Sequence, residues 1–297
     1  MHSHSTHSHA PGPAAGLGGV LALTLAFAGV EALGGLWSGS LALLGDAGHM
    51  LTDAVALGLA ALAARFGRRP PSPRHSYGLA RAEIVAALIN GLLMLAVVSW
   101  LSVQAVERLL APRPVVGEAV IGIALAGLAV NGVVALRLSR AGDNLNVRAA
   151  LLHVVGDALG AVAALIAGVV VYATGWWPID PLLALVIGAL ILYSTFRLLR
   201  EALHILLEGV PHGLDLNRVG RSMAQLPGVG SVHDLHIWTL ASGVYALSAH
   251  VVVQDLAAWP EVLGRMQELL ARRYRIRHVT LQPELPVAAP LAYRPRR

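Results

Sequence analysis

Apolar residues fill the first two thirds of the chain in six stretches, near Gly16 to Trp37, Leu41 to Arg65, Ala82 to Val106, Val115 to Leu138, Ala149 to Ala173 and Pro181 to Leu203. A helix of about 20 residues crosses the roughly 30 Å hydrocarbon layer of a bilayer, so each stretch predicts a span. The pattern changes after Glu208-Gly209-Val210-Pro211. Apolar positions in Val232, Leu235 and Ile237, and in Tyr245, Leu247, Ala249 and Val251, follow the period of two expected of half-buried strands. Ala241-Ser242-Gly243 supplies a hairpin connection. The order is helix (Leu214 to Leu226), strand (Ser231 to Leu240), strand (Val244 to Val253), helix (Trp259 to Tyr274), strand (Ile276 to Pro283), which predicts an αββαβ unit of the ferredoxin-like kind. The expected fold is therefore a polytopic α-helical membrane protein, with six transmembrane helices in residues 16–208 and a C-terminal ferredoxin-like domain in residues 209–286. A unit of about 75 residues is small for independent stability, so pairing with a second copy is expected.

Composition agrees with the spans: 56% of the 297 residues are hydrophobic and only 13% charged, against roughly 25% charged in soluble domains. All 22 basic residues are Arg, and their placement orients the chain. Ten flank one side of the spans (Arg65, Arg68, Arg69, Arg74, Arg81, Arg137, Arg140, Arg148, Arg197 and Arg200), and only Arg108 and Arg113 flank the other. The positive-inside rule then puts both termini and the soluble domain in the cytoplasm, and the basic excess reads as membrane orientation with no nucleic-acid partner. The first stretch lacks a basic n-region and is read as a true span. There is no Cys, which leaves His, Asp and Glu as the available metal ligands. Residues 1–15, where His2, His4, His7 and His9 alternate with Ser and Thr, predict a disordered tail; a second, basic tail occupies residues 287–297.

Two apolar stretches carry the same spacing, His49-x-x-x-Asp53 and His153-x-x-x-Asp157. Helical residues four apart share a face, with Cβ atoms about 5 to 6 Å apart, so each motif aims one imidazole and one carboxylate the same way. Two such helices face to face offer two nitrogens and two oxygens, the number that tetrahedral Zn²⁺ takes at about 2.0 to 2.2 Å. An ionised Asp at mid-membrane costs about 2.5 to 3.5 kcal/mol on insertion scales, which makes a functional role the default reading. An intramembrane hydrolase would need an open coordination position for water, whereas four protein ligands close the site, so no enzyme activity is expected. Spacing alone leaves a metal sensor or passive channel open beside a transporter. Asp46 shares the helical stripe of His49 and is a candidate proton relay or orienting group, with a plain structural hydrogen bond as the alternative. Asn90 and Asn131 read as interhelical hydrogen-bonding groups, and Glu31 as a group lining an aqueous cavity.

Ser40 to Asp53 (SLALLGDAGHMLTD), Tyr77 to Glu83 (YGLARAE), Asn144 to Asp157 (NLNVRAALLHVVGD), Ile205 to Pro211 (ILLEGVP) and Val232 to Leu240 (VHDLHIWTL) together resemble the cation diffusion facilitators, in the zinc-exporting branch that bacteria share with the vesicular zinc transporters of animals. The resemblance implies a homodimer in the bacterial cytoplasmic membrane, with six helices per protomer and a cytoplasmic C-terminal domain, which exchanges cytoplasmic Zn²⁺ for protons. Cd²⁺ and Co²⁺ would also suit the donor set. The transport quartet falls on His49, Asp53, His153 and Asp157. His233 and His250 match cytoplasmic ligand positions of the family, and Glu284 stands, with Gln282, where some relatives have an Asp and a His; Zn²⁺ is expected there as a regulatory ligand. A further family site between spans two and three is expected to be missing, because His75 has no carboxylate in Arg68 to Arg74. His236 lies on the opposite face of a regular strand from His233 and reads as structural, while His204, His212 and His278 read as surface or interfacial residues. The resemblance also implies that Arg81 pairs with Glu208, tying the spans to the soluble domain.

Overall fold

The computed structural model of the protein describes residues 14–140 and 145–286. The expectations for the basic tail and for most of the His-rich tail fall outside the described residues, although Ala14 and Ala15 already belong to the first helix. Six long helices follow in order: α1 (Ala14–Ser38), α2 (Leu41–Gly67), α3 (Ala82–Leu110), α4 (Gly117–Ser139), α5 (Leu145–Thr174) and α6 (Ile179–Leu206). By length and composition α2 to α6 can each cross a membrane, and in α1 the apolar stretch is Ala22–Ser38. The small domain comprises α7 (Leu216–Ala224), β1 (Val229–Ala241), β2 (Val244–Val253), α8 (Trp259–Tyr274) and β3 (His278–Glu284). The chain divides into two compact units, residues up to 59 with 89–199, and residues 60–88 with 200 onward.

In the first unit α4 packs on α5 and α1. One buried apolar layer joins Ala42 and Leu43 of α2, Val120 and Ala124 of α4, and Ala164 and Val171 of α5. A second joins Phe27 and Ala28 of α1 to Met50 of α2. Alanines recur in these layers, at Ala28, Ala42, Ala124 and Ala164, which suits helices in lipid, where close approach of backbones replaces the hydrophobic drive as the main attraction. The N-terminus of α2 is held in an unusual way. Its cap comes from another helix: buried Asp180, in the first turn of α6, accepts from Ser40 Oγ at 2.5 Å, Leu41 N at 2.6 Å and Ala42 N at 3.4 Å. A carboxylate suits this end of a helix because free N–H groups and the positive end of the helix dipole converge there. Arg108 of α3 donates to Gly39 O, and Val116 N to Ser38 O at 2.9 Å, so the α1–α2 turn is tied to α3, to the start of α4 and to α6.

In the second unit the sheet runs β1-β2-β3, with β1 and β2 antiparallel and β2 and β3 parallel. One face buries Ile237, Leu247, Ala249 and Val251 against Val219 and Met223 of α7 and Val262, Met266 and Leu270 of α8. Helix α7 starts with an N-cap, Asp215 Oδ1 accepting from Arg218 N at 3.0 Å. The αββαβ order is the one expected.

Removing the Asp180 carboxylate should loosen the α1–α2 turn. Asp180→Ala is expected to lower stability by about 2 kcal/mol, as lost caps and buried charge-assisted hydrogen bonds do, and Asp180→Asn by roughly half of that. Thermal unfolding of the detergent-solubilised protein checks the order wild type, Asn, Ala.

Candidate metal centres

The i, i+4 motifs on α2 and α5 meet. His49 Nε2 lies 3.7 Å from Asp53 Oδ2 and 3.9 Å from Asp157 Oδ1; His153 Nε2 lies 3.3 Å from Asp53 Oδ2 and 3.7 Å from Asp157 Oδ2. The imidazole centroids are 5.9 Å apart, with the rings at 64°. Four ligands at about 2.1 Å around a tetrahedral ion stand about 3.4 Å from one another. The two separations to Asp53 Oδ2 bracket that value, and one ligand atom each of His49, Asp53 and His153 falls within 4.8 Å of the others, whereas Asp157 meets the two imidazoles with different oxygens. Asp157 Oδ1 and His49 Nδ1 are buried and make no hydrogen bond among the described residues. His153 is about half exposed.

His153 is exposed because a cavity of about 630 Å³ reaches the quartet. Asp53, His153 and Asp157 line it, together with Leu57 of α2, Val134 and Leu138 of α4, and Ala150 and Val154 of α5. It therefore extends from the quartet toward the helix ends joined by the connection that bears Arg137 and Arg140. In the other direction lies the buried apolar layer of Ala42, Leu43, Ala164 and Val171. Asp46 lies between the quartet and that layer, 3% exposed, with its carboxylate against Gly160 of α5. A β-carbon at Gly160 would stand 2.6 Å from Asp46 Oδ1 and 3.0 Å from Cγ. Glu31 departs from expectation. It does not line the cavity; it is 1% exposed, beside Gly127, and its Oε2 has no hydrogen-bond partner among the described residues.

A second group of ligand atoms lies on the sheet face turned away from α7 and α8. His233 Nε2 is 3.2 Å from Glu284 Oε2, His250 Nδ1 is 2.6 Å from Glu284 Oε1, and the two rings are 5.4 Å apart. One ligand atom from each of the three residues falls within 4.8 Å of the others. His236 also differs from expectation. His233 pairs with His250 and His236 with Ser248, so three steps on β1 match two on β2, and the bulge turns His236 onto the same face as His233 and His250. Asp234 occupies the bulge at φ 49°, where its Oδ1 lies 3.0 Å from His236 Nε2 and its Oδ2 3.8 Å from His250 Nε2. The hydrogen bond with His236, aided by the neighbouring imidazoles, holds the Asp234 carboxyl below its ordinary pKa. The sequence does mark this bulge: the core-facing apolar residues step by three from Val232 to Leu235 and by two from Leu235 to Ile237, where a regular strand steps by two throughout.

Arg81 Nη2 stands 3.2 Å from Glu208 Oε1. Both residues belong to the second compact unit, so the pair lies within one unit and joins the start of α3 to the segment after α6. Glu208 is itself left-handed (φ 59°). It closes a Schellman turn in which Gly209 N donates to His204 O and Glu208 N to Ile205 O. A side chain at Gly209 would meet the His204 ring. His204 Nε2 bonds Val210 O at 2.8 Å and stacks on His212, whose Nε2 is 2.8 Å from Glu201 Oε2; His278 packs edge-on against Tyr77.

Comparison with known proteins gives a consistent picture. A model of the cation efflux transmembrane domain matches residues 20–207, and one of the cation efflux protein cytoplasmic domain matches residues 211–285. The zinc transporter ZitB of Escherichia coli (strain K12) is 42% identical over 290 residues, 95% of this chain and 92% of that relative. The metal cation efflux system protein CzcD of Cupriavidus metallidurans is 39% identical over 284 residues, 94% of this chain and 89% of that protein. A cadmium, cobalt and zinc/H(+)-K(+) antiporter of Bacillus subtilis (strain 168) is 37% identical over 261 residues, 86% of this chain and 84% of the relative.

The notch at Gly160 yields a steric test of how α2 and α5 close. Gly160→Ala should cost about 1 to 3 kcal/mol, as overpacking of a buried contact does, because the new methyl meets the Asp46 carboxylate. Removing that carboxylate in Asp46→Ala/Gly160→Ala should restore most of the melting temperature. A double variant as unstable as the sum of the single changes would show that the strain lies elsewhere.

Proposed function

The chain belongs to the cation efflux family, multi-pass membrane transporters of metal cations, and from that membership we propose that it exports Zn²⁺ from the cytoplasm in exchange for protons, with His49, Asp53, His153 and Asp157 as the transport site. The observation that carries this reading is the meeting of His49, Asp53 and His153, one ligand atom of each within 4.8 Å of the others, with the Asp157 carboxylate facing both imidazoles at 3.7 and 3.9 Å. A mixed pair of imidazoles and carboxylates suits Zn²⁺, with Cd²⁺ and Co²⁺ as neighbours in preference, and suits Mn²⁺ less well. The printed names of the relatives, a zinc transporter and a cadmium, cobalt and zinc antiporter coupled to protons and potassium, point the same way.

Coupling follows from competition for lone pairs. Zinc requires neutral imidazoles and ionised carboxylates, so binding releases protons and protonation expels the metal. The cavity that meets the quartet on the side of the arginine-bearing α4–α5 connection, together with the buried apolar layer on the other side, supports an alternating-access cycle of which this is the inward-open form. In that reading both termini are cytoplasmic, by the placement of the arginines. The protein works as a homodimer through its C-terminal domain, and His233, His250 and Glu284 bind cytoplasmic zinc as a regulatory ligand.

In proteoliposomes, zinc should accumulate against its gradient when a proton gradient is imposed, and the movement should stop when that gradient is collapsed. Transport that continues downhill regardless would make the protein a passive channel. Asp157→Ala should abolish transport while the protein still inserts and purifies as a folded species, and wild-type rates from that variant would remove the quartet from the mechanism. His49→Asp exchanges an imidazole for a harder oxygen ligand, so discrimination against Mn²⁺ should fall measurably. An unchanged metal preference would exclude His49 as a ligand.

A further inference from the structure

On the premise that His233, His250 and Glu284 form a cytoplasmic cation site, we propose that Asp234 is its positioning residue, placed by the β1 bulge to take the His250 proton on Nε2 when a cation replaces the Nδ1 hydrogen bond to Glu284 and uses the Nδ1 lone pair. His250 lies between two carboxylates, with Nδ1 2.6 Å from Glu284 Oε1 and Nε2 3.8 Å from Asp234 Oδ2. A neutral imidazole has one lone pair and one N–H, and which nitrogen binds a metal is set by the hydrogen bond that the other makes. Glu284 reaches both His233 Nε2 and His250 Nδ1, so a cation held by all three residues takes His250 through Nδ1. The ring proton then resides on Nε2, the nitrogen that faces Asp234. Metal-bound imidazoles characteristically donate their remaining N–H to a carboxylate in this way. The separation of 3.8 Å is longer than a hydrogen bond, and the proposal requires it to shorten when the cation takes Nδ1.

Two further features assign the role to Asp234. His236, brought to this face by the bulge, holds the other carboxylate oxygen at 3.0 Å, so Oδ2 is presented toward His250 by a side chain that is itself fixed. Asp234 also sits at φ 49°, a conformation that glycine adopts more readily than any side-chain-bearing residue. Backbone comfort favours Gly here, whereas metal affinity favours Asp. A local outlier of this kind at a cluster of ligand atoms points to a function for the side chain.

That opposition gives the test. Full-length protein carrying Asp157→Ala, to silence the transport site, is titrated with Zn²⁺ alone by calorimetry in detergent, and its melting temperature is read separately in the presence of a chelator. Adding Asp234→Gly should leave the melting temperature unchanged or raise it, while zinc affinity falls about 10- to 100-fold, the usual effect of losing a carboxylate behind a ligating His. Asp234→Asn, whose amide oxygen can accept but carries no charge, should lie between Asp and Gly in affinity. Equal affinity for Asp234→Gly and its parent overturns the proposal, and so does a loss of affinity accompanied by a matching loss of melting temperature, which would mark a merely structural residue. His233→Ala is the control for the premise. If zinc binding survives that change undiminished, the cytoplasmic site itself is wrong; if binding is lost there but kept in Asp234→Gly, only the positioning role fails.

Discussion

Ionised carboxylates in a bilayer have to meet a partner, and in the first unit that requirement falls on one short stretch of the α2–α5 contact. A charged Asp at mid-membrane costs about 2.5 to 3.5 kcal/mol on insertion scales, and α2 and α5 between them bring Asp46, Asp53 and Asp157 to neighbouring levels. Two imidazoles face Asp53 and Asp157 at 3.3 to 3.9 Å, too far for strong hydrogen bonds. The alanines that recur in the buried layers let the backbones come close, and larger residues would hold the ligands apart.

The packing on the two sides of the quartet is unequal. Toward the α1–α2 turn, Ala42, Leu43, Ala164 and Val171 form a buried layer, and the turn is fastened by Asp180, Arg108 and Val116 to three other parts of the unit. Toward the α4–α5 connection the helices stand apart around a cavity. In the proposed transport cycle an ion would reach the quartet through the open side, and release on the other side would require α2 and α5 to part across the Asp46–Gly160 contact. Packed layers of this kind shift between discrete arrangements more readily than they deform continuously, so in the proposed cycle a small change in charge at the quartet would become a change in access.

Much of this was legible in the sequence because it obeys short periods. Six apolar runs set the helices, and a spacing of four placed His49 with Asp53 and His153 with Asp157; the αββαβ order followed from alternation and one turn. What was missed depends on partners far apart in the chain or on backbone geometry that breaks the period. Asp180 lies about 140 residues from the helix that it caps, so no local pattern announces it. Glu31 was misread because a single acid in an apolar run does not say whether it faces water or a neighbouring helix. His236 was assigned to the wrong face because alternation assumes a regular strand, and one extra residue at a bulge reverses every assignment beyond it.

The two ligand clusters use the same chemistry on different scaffolds, and the scaffolds suit different duties. In the first unit the ligands are split between two helices, so the site exists only while α2 and α5 keep their separation, and moving one helix dissolves it. Such a site can bind tightly in one arrangement and weakly in another, which a carrier needs if it is to release what it has captured. In the small domain His233 and His250 are cross-strand partners, and Glu284 extends from the neighbouring strand, one residue beyond the position paired with Val251. Hydrogen-bonded strands hold those spacings whether or not a cation is bound. In the proposed cytoplasmic site, binding would change charge on the sheet face while the strands keep their spacing, so affinity would be set mainly by ligand orientation, and His250, whose two nitrogens face carboxylates, is where that orientation would be decided.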